Sequence, residues 1–384
     1  MTDQDTLIYL DNNATTALAP ECVEPVLACL RDSYGNPSSK HAVGEHAKAQ
    51  VMQARASVAR LLNAAPAEIV FTASGTEANH LAIAGALAAR PGRLHVVVSA
   101  VEHPSTLDLL AHLEATGVRV TRLPVDQDGM LDLAALEQAI TPDTALVSLM
   151  WANNETGVLF PIAEAAQIAR SRGVLFHTDA VQAAGKIPLD LAQVPVDLLS
   201  LAGHKFHAPK GVGVLFVRKG LKLQPMLFGH QERGRRGGTE NVPAIVGMGV
   251  ACELAARETA AKVAAMAALR DRLETGVRLR IPCARINGGT ALRVGNTSSV
   301  RFGELAAEAI LDKLDRAGIC ASSGAACTAG GSAPSHVLTA MGLSEAEALA
   351  TVRFSLSRYT TETEIDHVID VLAATLKRMT AEAA

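Results

Sequence analysis

The sequence predicts an α/β fold, a mainly parallel sheet covered by helices on both faces, with a second, smaller α+β domain. Three observations carry this. Short apolar runs such as EIVFT, LHVVVSAV, TALVSLM, VLFHTDA and VDLLSL alternate with helix-length segments, and buried runs in that alternation imply parallel strands. Apolar residues make up 49% of the 384 residues and aromatics only 3%, so Ala, Val and Leu fill the interior, as suits helices packed on a sheet. Past about residue 256 the texture changes, and the length is large for a single core. The expected division is a large domain over 15–255 and a small one formed by 1–14 and 256–384, with the first strand returning to pack on the small domain.

In chain order, IYLDNNATT reads as a short strand running into a polar turn, and GNPSSKH at 35–41 as a second turn before a long helix through about Leu62. EIVFTASGTEANHLAIAGALAA is a strand, a glycine turn and an apolar helix beginning near Gly75 and Thr76. Free N–H groups at such a start, with the Thr76 hydroxyl beside them, make a phosphate cradle. Helices follow near 105–116, 131–140 and 161–172. The segment 229–241, GHQERGRRGGTEN, interrupts the pattern. It reads either as a solvated basic loop or as an anion-binding or subunit-contact loop. Beyond it come the helix ETAAKVAAMAALRDRLETGVRLRI, the strand NTSSVRF, a helix from about Leu305 to Ala317, GICASSG, a helix at His336–Met341, the strand TVRFSLS and a last amphipathic helix from about Glu362.

The formal net charge of −4 gives no electrostatic reason to expect nucleic acid or an anionic membrane. No apolar run reaches membrane-spanning length and no signal peptide is apparent, so a cytoplasmic location is expected. The six cysteines form no C-x-x-C pair and no zinc-spaced cluster. No metal is expected, and all but Cys327 read as small apolar residues.

Ligands of open α/β sheets gather beyond the carboxyl ends of strands. The polar residues there are Gly75 and Thr76, Glu102 and His103, Asn153 to Glu155, Asp179 with Gln182, and His204 with Lys205. Lys205 sits in LAGHKFHAPKGVG, just past a strand end, where a lysine can be desolvated and used as a Schiff-base amine. An amine, a phosphate cradle and a carboxylate at neighbouring strand ends match the needs of pyridoxal 5'-phosphate. Asp179 is the expected partner of the pyridine nitrogen. His103 is placed to lie over the ring or move protons, and Asn154 and Gln182 to meet its phenolic oxygen. Arg353 suits a bidentate grip on a carboxylate, or alternatively a pair with a local acid.

The motifs YLDNNATT, GNPSSKH, FTASGTEAN, VEHPST, NNETGV, HTDAVQ, GHKFHAPKGVG, GHQERGRRGGTEN, SSGAACTAGG, PSHVL and VRFSLSRYTTETEID occur in this order. Together they resemble a cysteine desulfurase of the class V aminotransferase family, in the branch that donates sulfur to iron–sulfur clusters and nitrogenase. The resemblance implies the aspartate-aminotransferase-like fold (fold type I), a homodimer with its site at the subunit interface, and release of sulfur from L-cysteine to give L-alanine and an enzyme persulfide. The sulfur would pass to an acceptor scaffold protein for cluster assembly; nitrogenase or tRNA thiolation are other destinations, and selenocysteine lyase or aminotransferase the alternative activities.

Position by position, the resemblance makes Lys205 the Schiff-base lysine, Asp179 the pyridinium partner, His103 the stacking acid or base and Cys327 the nucleophile. It puts Gly75, Thr76 and His204 at the phosphate, with Thr239 reaching the phosphate of the other subunit. Asn154 and Gln182 fall at the ring oxygen, and Arg353 and Asn36 at the substrate carboxylate. Two departures stand out. Ala202 occupies the place where relatives usually carry a phosphate-binding serine, and the loop after Cys327 lacks their acidic residue. That loop has no apolar period, and Gly324, Gly330 and Gly331 make it permissive.

Overall fold

The computed structural model describes residues 7–323 and 333–382. The chain starts with β1 (Ile8–Tyr9), α1 (Pro20–Asp32) and α2 (Ala42–Leu61). A seven-stranded sheet follows. Its strands are β2 (Ile69–Thr72), β3 (His95–Ser99), β4 (Arg119–Leu123), β5 (Thr144–Met150), β6 (Leu175–Asp179), β7 (Leu198–Ala202) and β8 (Gly213–Val217). Between them run α3 (Gly75–Ala89), α4 (Pro104–Glu114), α5 (Leu133–Ala139) and α6 (Ile162–Ser171). The spatial order is β2-β8-β7-β6-β5-β3-β4. β4, β3, β5, β6 and β7 pair in parallel, while β8 runs antiparallel to both β7 and β2.

The apolar runs are continuous because both faces are covered. β3, β5, β6, β7 and β8 are buried along their whole length. Alternate residues feed two cores. Val97, Val147, Phe176, Leu199 and Phe216 face the one that holds α1 and α2. Val96, Val98, Leu146, Leu198 and Leu215 face the one beneath α3. At the edge, β4 exposes Arg119 and Arg122, charges that blunt an open strand.

α7 (Val242–Arg280) is a single helix of 39 residues. The sequence pattern marks only its second half. VPAIVGMGV is too rich in glycine to read as a helix, yet both interior glycines are needed for contact. A Cβ on Gly249 would lie 2.8 Å from the Ala54 backbone, and one on Gly247 would lie 2.5 Å from the Pro209 ring. The first half of α7 packs on the large core through Ile245, Met248 and Cys252. Its last turns bring Leu273 and Val277 to a third core. The expected boundary at 255/256 thus falls inside an unbroken helix.

The remaining elements are β9 (Ala284–Ile286), β10 (Thr297–Phe302), α8 (Ala307–Asp315), β11 (Ile319–Cys320), β12 (Ser322–Ser323), α9 (His336–Ala340), α10 (Glu345–Leu349), β13 (Thr351–Ser355) and α11 (Glu362–Glu382). β12-β13-β10-β9 form an antiparallel sheet, and β1 pairs in parallel with β11. Ile8 and Leu10 therefore join Val300, Phe302, Phe354 and Leu372 in the third core. Cys283, expected as an interior apolar residue, is exposed just before β9, whereas Cys22, Cys29 and Cys252 are buried.

Candidate active site

The carboxyl ends of β5, β6 and β7, the start of α3 and the start of α4 enclose a cavity of about 290 Å³. β7 ends at Ala202, and a single 3-10 turn over Gly203–Lys205 turns the chain across its mouth. Position 203 is tightly packed. A Cβ there would meet Ala208 and Val212 at 3.0 Å. Lys205 is half-buried, and its Nζ donates to the carbonyls of Asn13 and Ala14, both at 2.7 Å. The N-terminal segment is stitched to this turn by the amides of Thr16 and Ala19, which donate to the carbonyls of His204 and His207.

Asp179 ends β6 and is 6% exposed. Its Oδ1 accepts from the Val181 amide at 2.9 Å, and its Oδ2 accepts from Asn79 Nδ2 at 2.7 Å. Asn79 Nδ2 also reaches Ser105 Oγ, while Asn79 Oδ1 is buried without a partner. His103 caps α4. Its Nδ1 accepts from the Ser105 amide at 3.1 Å, so the proton of the neutral ring resides on Nε2. Burial is the main cause holding its pKa below the usual histidine value, with Lys205 and His336 adding to the effect and Asp179 opposing it. Burial thus disfavours a charge on His103, and the Asp179 carboxylate opposes that effect.

At α3, Ser74 Oγ accepts from the Glu77 amide, leaving the first-turn amides of Gly75 and Thr76 at the cavity wall. A Cβ on Gly75 would come within 3.0 Å of Ala202 Cβ and 3.1 Å of Val181, so a side chain here would press on both neighbours. His204 also lines the cavity, and its Nδ1 lies 3.1 Å from Thr15 Oγ1. Burial first, then Lys205 and Lys210, bring its pKa down to about 4.

Gln182 and Asn154 line the same space. Gln182 Nε2 donates to the Asn13 carbonyl at 2.9 Å. The Asn154 carbonyl accepts from Asn13 Nδ2 and from Arg353 Nη1. Arg353 is 3% exposed and donates to Asp11 Oδ1 at 2.7 Å, the local acid that the sequence allowed for. Its Nε remains buried without a partner at the cavity.

Two expected site residues are not brought in. Asn36 and Thr239 are exposed and do not line this cavity within their own chain. The 229–241 loop that carries Thr239 is nevertheless fixed. Glu232 is paired with Arg55 at 2.6 Å in a buried site and accepts from the Phe71 amide, and Arg236 is paired with Glu77 at 2.8 Å. Cys327 lies outside the described residues. Sequence reasoning missed Asn13, Asn79, Ser105 and Lys186. For Asn79 a signal existed, since it follows Gly75 by four residues and shares its helix face.

Comparison with known proteins gives the same chemistry. The family model Aminotransferase class-V matches residues 8–368. A cysteine desulfurase from Cereibacter sphaeroides is 52% identical over 95% of this chain and 94% of its own length. Cysteine desulfurase NifS from Azotobacter vinelandii is 50% identical over 94% of this chain and 90% of its own. The solved structure of a NifS-like protein superposes with a TM-score of 0.90 at 35% identity, covering 97% of this chain and 99% of that one. The chain therefore belongs to the class-V aminotransferase family, among its cysteine desulfurases.

Proposed function

We propose that the protein uses pyridoxal 5'-phosphate to take sulfur from L-cysteine, leaving L-alanine, and passes the sulfur as a persulfide on Cys327 to an acceptor protein of iron–sulfur cluster assembly. The observation that carries the reading is the single cavity that holds the Lys205 amine, the Asp179 carboxylate and the first-turn amides of α3. The donor set fits that cofactor. At the cradle a Cβ on Gly75 would press on Ala202 and Val181, and Arg353, whose Nε is buried without a partner, lines the same cavity.

When bound, pyridoxal phosphate withdraws electrons from bonds at the substrate α-carbon. Asp179, oriented by Asn79 and the Val181 amide, holds a proton on the pyridine nitrogen. Gly75, Thr76 and His204 bind the phosphate, and Asn154 and Gln182 meet the ring oxygen. His103 would serve the ring as its stacking residue and as acid or base. Arg353, with Asn36, grips the substrate carboxylate. The Cys327 thiolate attacks the substrate sulfur, forming an S–S bond as the C–S bond breaks, and the electron pair left on carbon takes up a proton.

A homodimer completes the site, with Thr239 serving the phosphate of the other subunit. Apolar side chains exposed on α1 and α2 and in the 229–241 region, including Leu27, Leu30, Met52 and Phe228 at 84%, support a second copy as their cover. Residues 15–255 act as the cofactor-binding unit, and 1–14 with 256–384 as the unit carrying the nucleophile. The proposed compartment is the cytoplasm, where thiols stay reduced; Cys22, Cys29, Cys252, Cys283 and Cys320 are free. Among the described residues no helix is long and apolar enough to cross a membrane, and no cluster suited to a metal ion occurs.

The test is the visible spectrum of the purified protein with the cofactor, followed by a sulfide assay with L-cysteine. Wild type is expected to bind the cofactor covalently and release sulfide in the presence of a thiol reductant. Lys205→Ala is expected to lose the covalent link and the activity while keeping its far-ultraviolet circular dichroism. A reducible protein–cofactor bond persisting in Lys205→Ala overturns the assignment.

A further inference from the structure

Lys186 lies beside the site and has no role in the reading above. It is 5% exposed, and its Nζ donates to Gln182 Oε1 and, at 2.9 Å, to Asn13 Oδ1. Among the described residues no carboxylate pairs with it, and the charged groups that bear on it are the cations Lys205 and Arg353. Burial, then these two cations, hold its pKa well below that of an ordinary lysine. Two acceptors face its N–H groups.

Both acceptors lead to the cavity. Gln182 offers its Oε1 to Lys186 and donates from Nε2 to the Asn13 carbonyl at 2.9 Å. That same carbonyl accepts from Lys205 Nζ at 2.7 Å. The far side of Asn13 is held too, because Nδ2 donates to the Asn154 carbonyl and to Thr297 Oγ1. An unsupported glutamine amide can rotate, exchanging its donor and acceptor ends at little cost. Here a donor at one end and a carbonyl at the other hold it in one sense.

We propose that Lys186 is a positioning residue for this site: through Gln182 and Asn13 it fixes the polarity of the Gln182 amide and the carbonyl on which the Lys205 amine is seated. The inference rests on the proposed function and deepens it. Lys186 touches neither substrate nor cofactor. It determines which hydrogen-bonding group of Gln182 is left for a ligand in the cavity.

The test compares Lys186→Met, Gln182→Ala and the double variant as full-length protein reconstituted with pyridoxal phosphate. Each single variant is expected to weaken cofactor binding about tenfold, the scale of one or two neutral hydrogen bonds. Each is also expected to move the pH midpoint of the visible absorbance in the same direction, by about half a unit or more. The double variant is expected to lose clearly less than the product of the two single losses, since Lys186 acts partly through Gln182 and partly through Asn13. Additive losses of about a hundredfold, or a Lys186→Met protein with an unmoved midpoint and only a lower melting temperature, overturn the proposal. If Lys186→Met does not fold, Lys186→Gln, too short to reach both acceptors, is read by the same criteria. Wild type that binds no cofactor defeats the proposed function instead.

Discussion

The sheet-edge wall of the cavity and the loop over 229–241 are held by opposite means. The wall is made of strand ends. Asp179, Ala202 and Lys205 inherit their positions from fully buried strands; Asp179 is fixed by an amide two residues on, Ala202 by its register with Gly213, and Lys205 by the N-terminal segment. The loop has no sheet to continue. It is pinned by two ion pairs, Arg55 with Glu232 and Arg236 with Glu77, and Glu232 and Arg233 take left-handed backbone angles to make the turn. The lesson is that the wall can be complete in one chain, whereas Thr239 is presented outward from a rigid support. In the proposed dimer, a fixed loop that exposes Thr239 would serve the site of the other subunit.

Changing the wall should remove chemistry and spare the fold. Asp179→Asn keeps the shape but replaces one of the two acceptor oxygens that meet Asn79 and the Val181 amide with an NH2 group, and it cannot hold the pyridine proton, so turnover is expected to fall by about 10²–10³-fold, with cofactor still bound in the spectrum. Turnover near wild type would take Asp179 out of that role. Changing the loop anchor should do the reverse. Arg55→Met leaves Glu232, whose side chain is 1% exposed, buried and unpaired, at a cost of about 3–5 kcal/mol. Chemical denaturation would measure it, and adding Glu232→Gln should recover part of the loss. Equal stability in Arg55→Met would mean that the loop is held by something else.

The wall also limits the acid range. His177, two residues before Asp179 on β6, joins β5 to β7 through Ser148 Oγ at 2.8 Å and Ser200 Oγ at 2.9 Å. Burial, opposed by Asp179, depresses its pKa to about 4. A folded-state pKa below the unfolded value of about 6.5 means that the fold favours the neutral ring. That stabilisation is full above about pH 6.5 and is lost as pH falls toward 4, amounting to about 2–4 kcal/mol. His204 is shifted the same way. His177→Asn is therefore expected to be less stable at pH 7 but to show a flatter decline between pH 6.5 and 4 in denaturant titrations. An unchanged slope would assign the acid limb to other groups.

The wall was legible in the sequence because its information is local. Each βα unit announces its strand, and the residues just past the strand end follow by counting. Gly75, Asp179 and Lys205 all come from that step. What was not legible is long-range. Arg353 meets Asp11 across 342 positions, and Lys205 meets Asn13 across 192. Nothing in the texture of DNNATT marks Asn13 as the residue on which Gln182, Lys186 and Lys205 converge. The first half of α7 was hidden for a different reason. Glycine weakens a helix pattern, but Gly247 and Gly249 are there for close packing against Pro209 and Ala54, a requirement visible only once the partners are in place.

The smallest expected effect refines the wall itself. Ala202 is the last residue of β7, is 2% exposed and lines the cavity opposite the start of α3, where Gly75 has made room. The family resemblance implies a hydroxyl at this place, and this chain has none. In the proposed reading the α3 amides, Thr76 and His204 serve as phosphate donors, and the cofactor would be held one neutral hydrogen bond short. Ala202→Ser adds that donor on a strand whose backbone is already fixed, so little ordering entropy opposes the gain. Cofactor binding is expected to tighten by about 0.5–1.5 kcal/mol, read as a several-fold slower loss of visible absorbance on dilution. Thermal stability of the cofactor-free protein should hardly change, because the only group added faces the cavity. Weaker binding in Ala202→Ser would mean that the space beside Gly75 is already filled when the phosphate is seated, and that the missing hydroxyl is an adjustment to this chain's own packing rather than a lost contact.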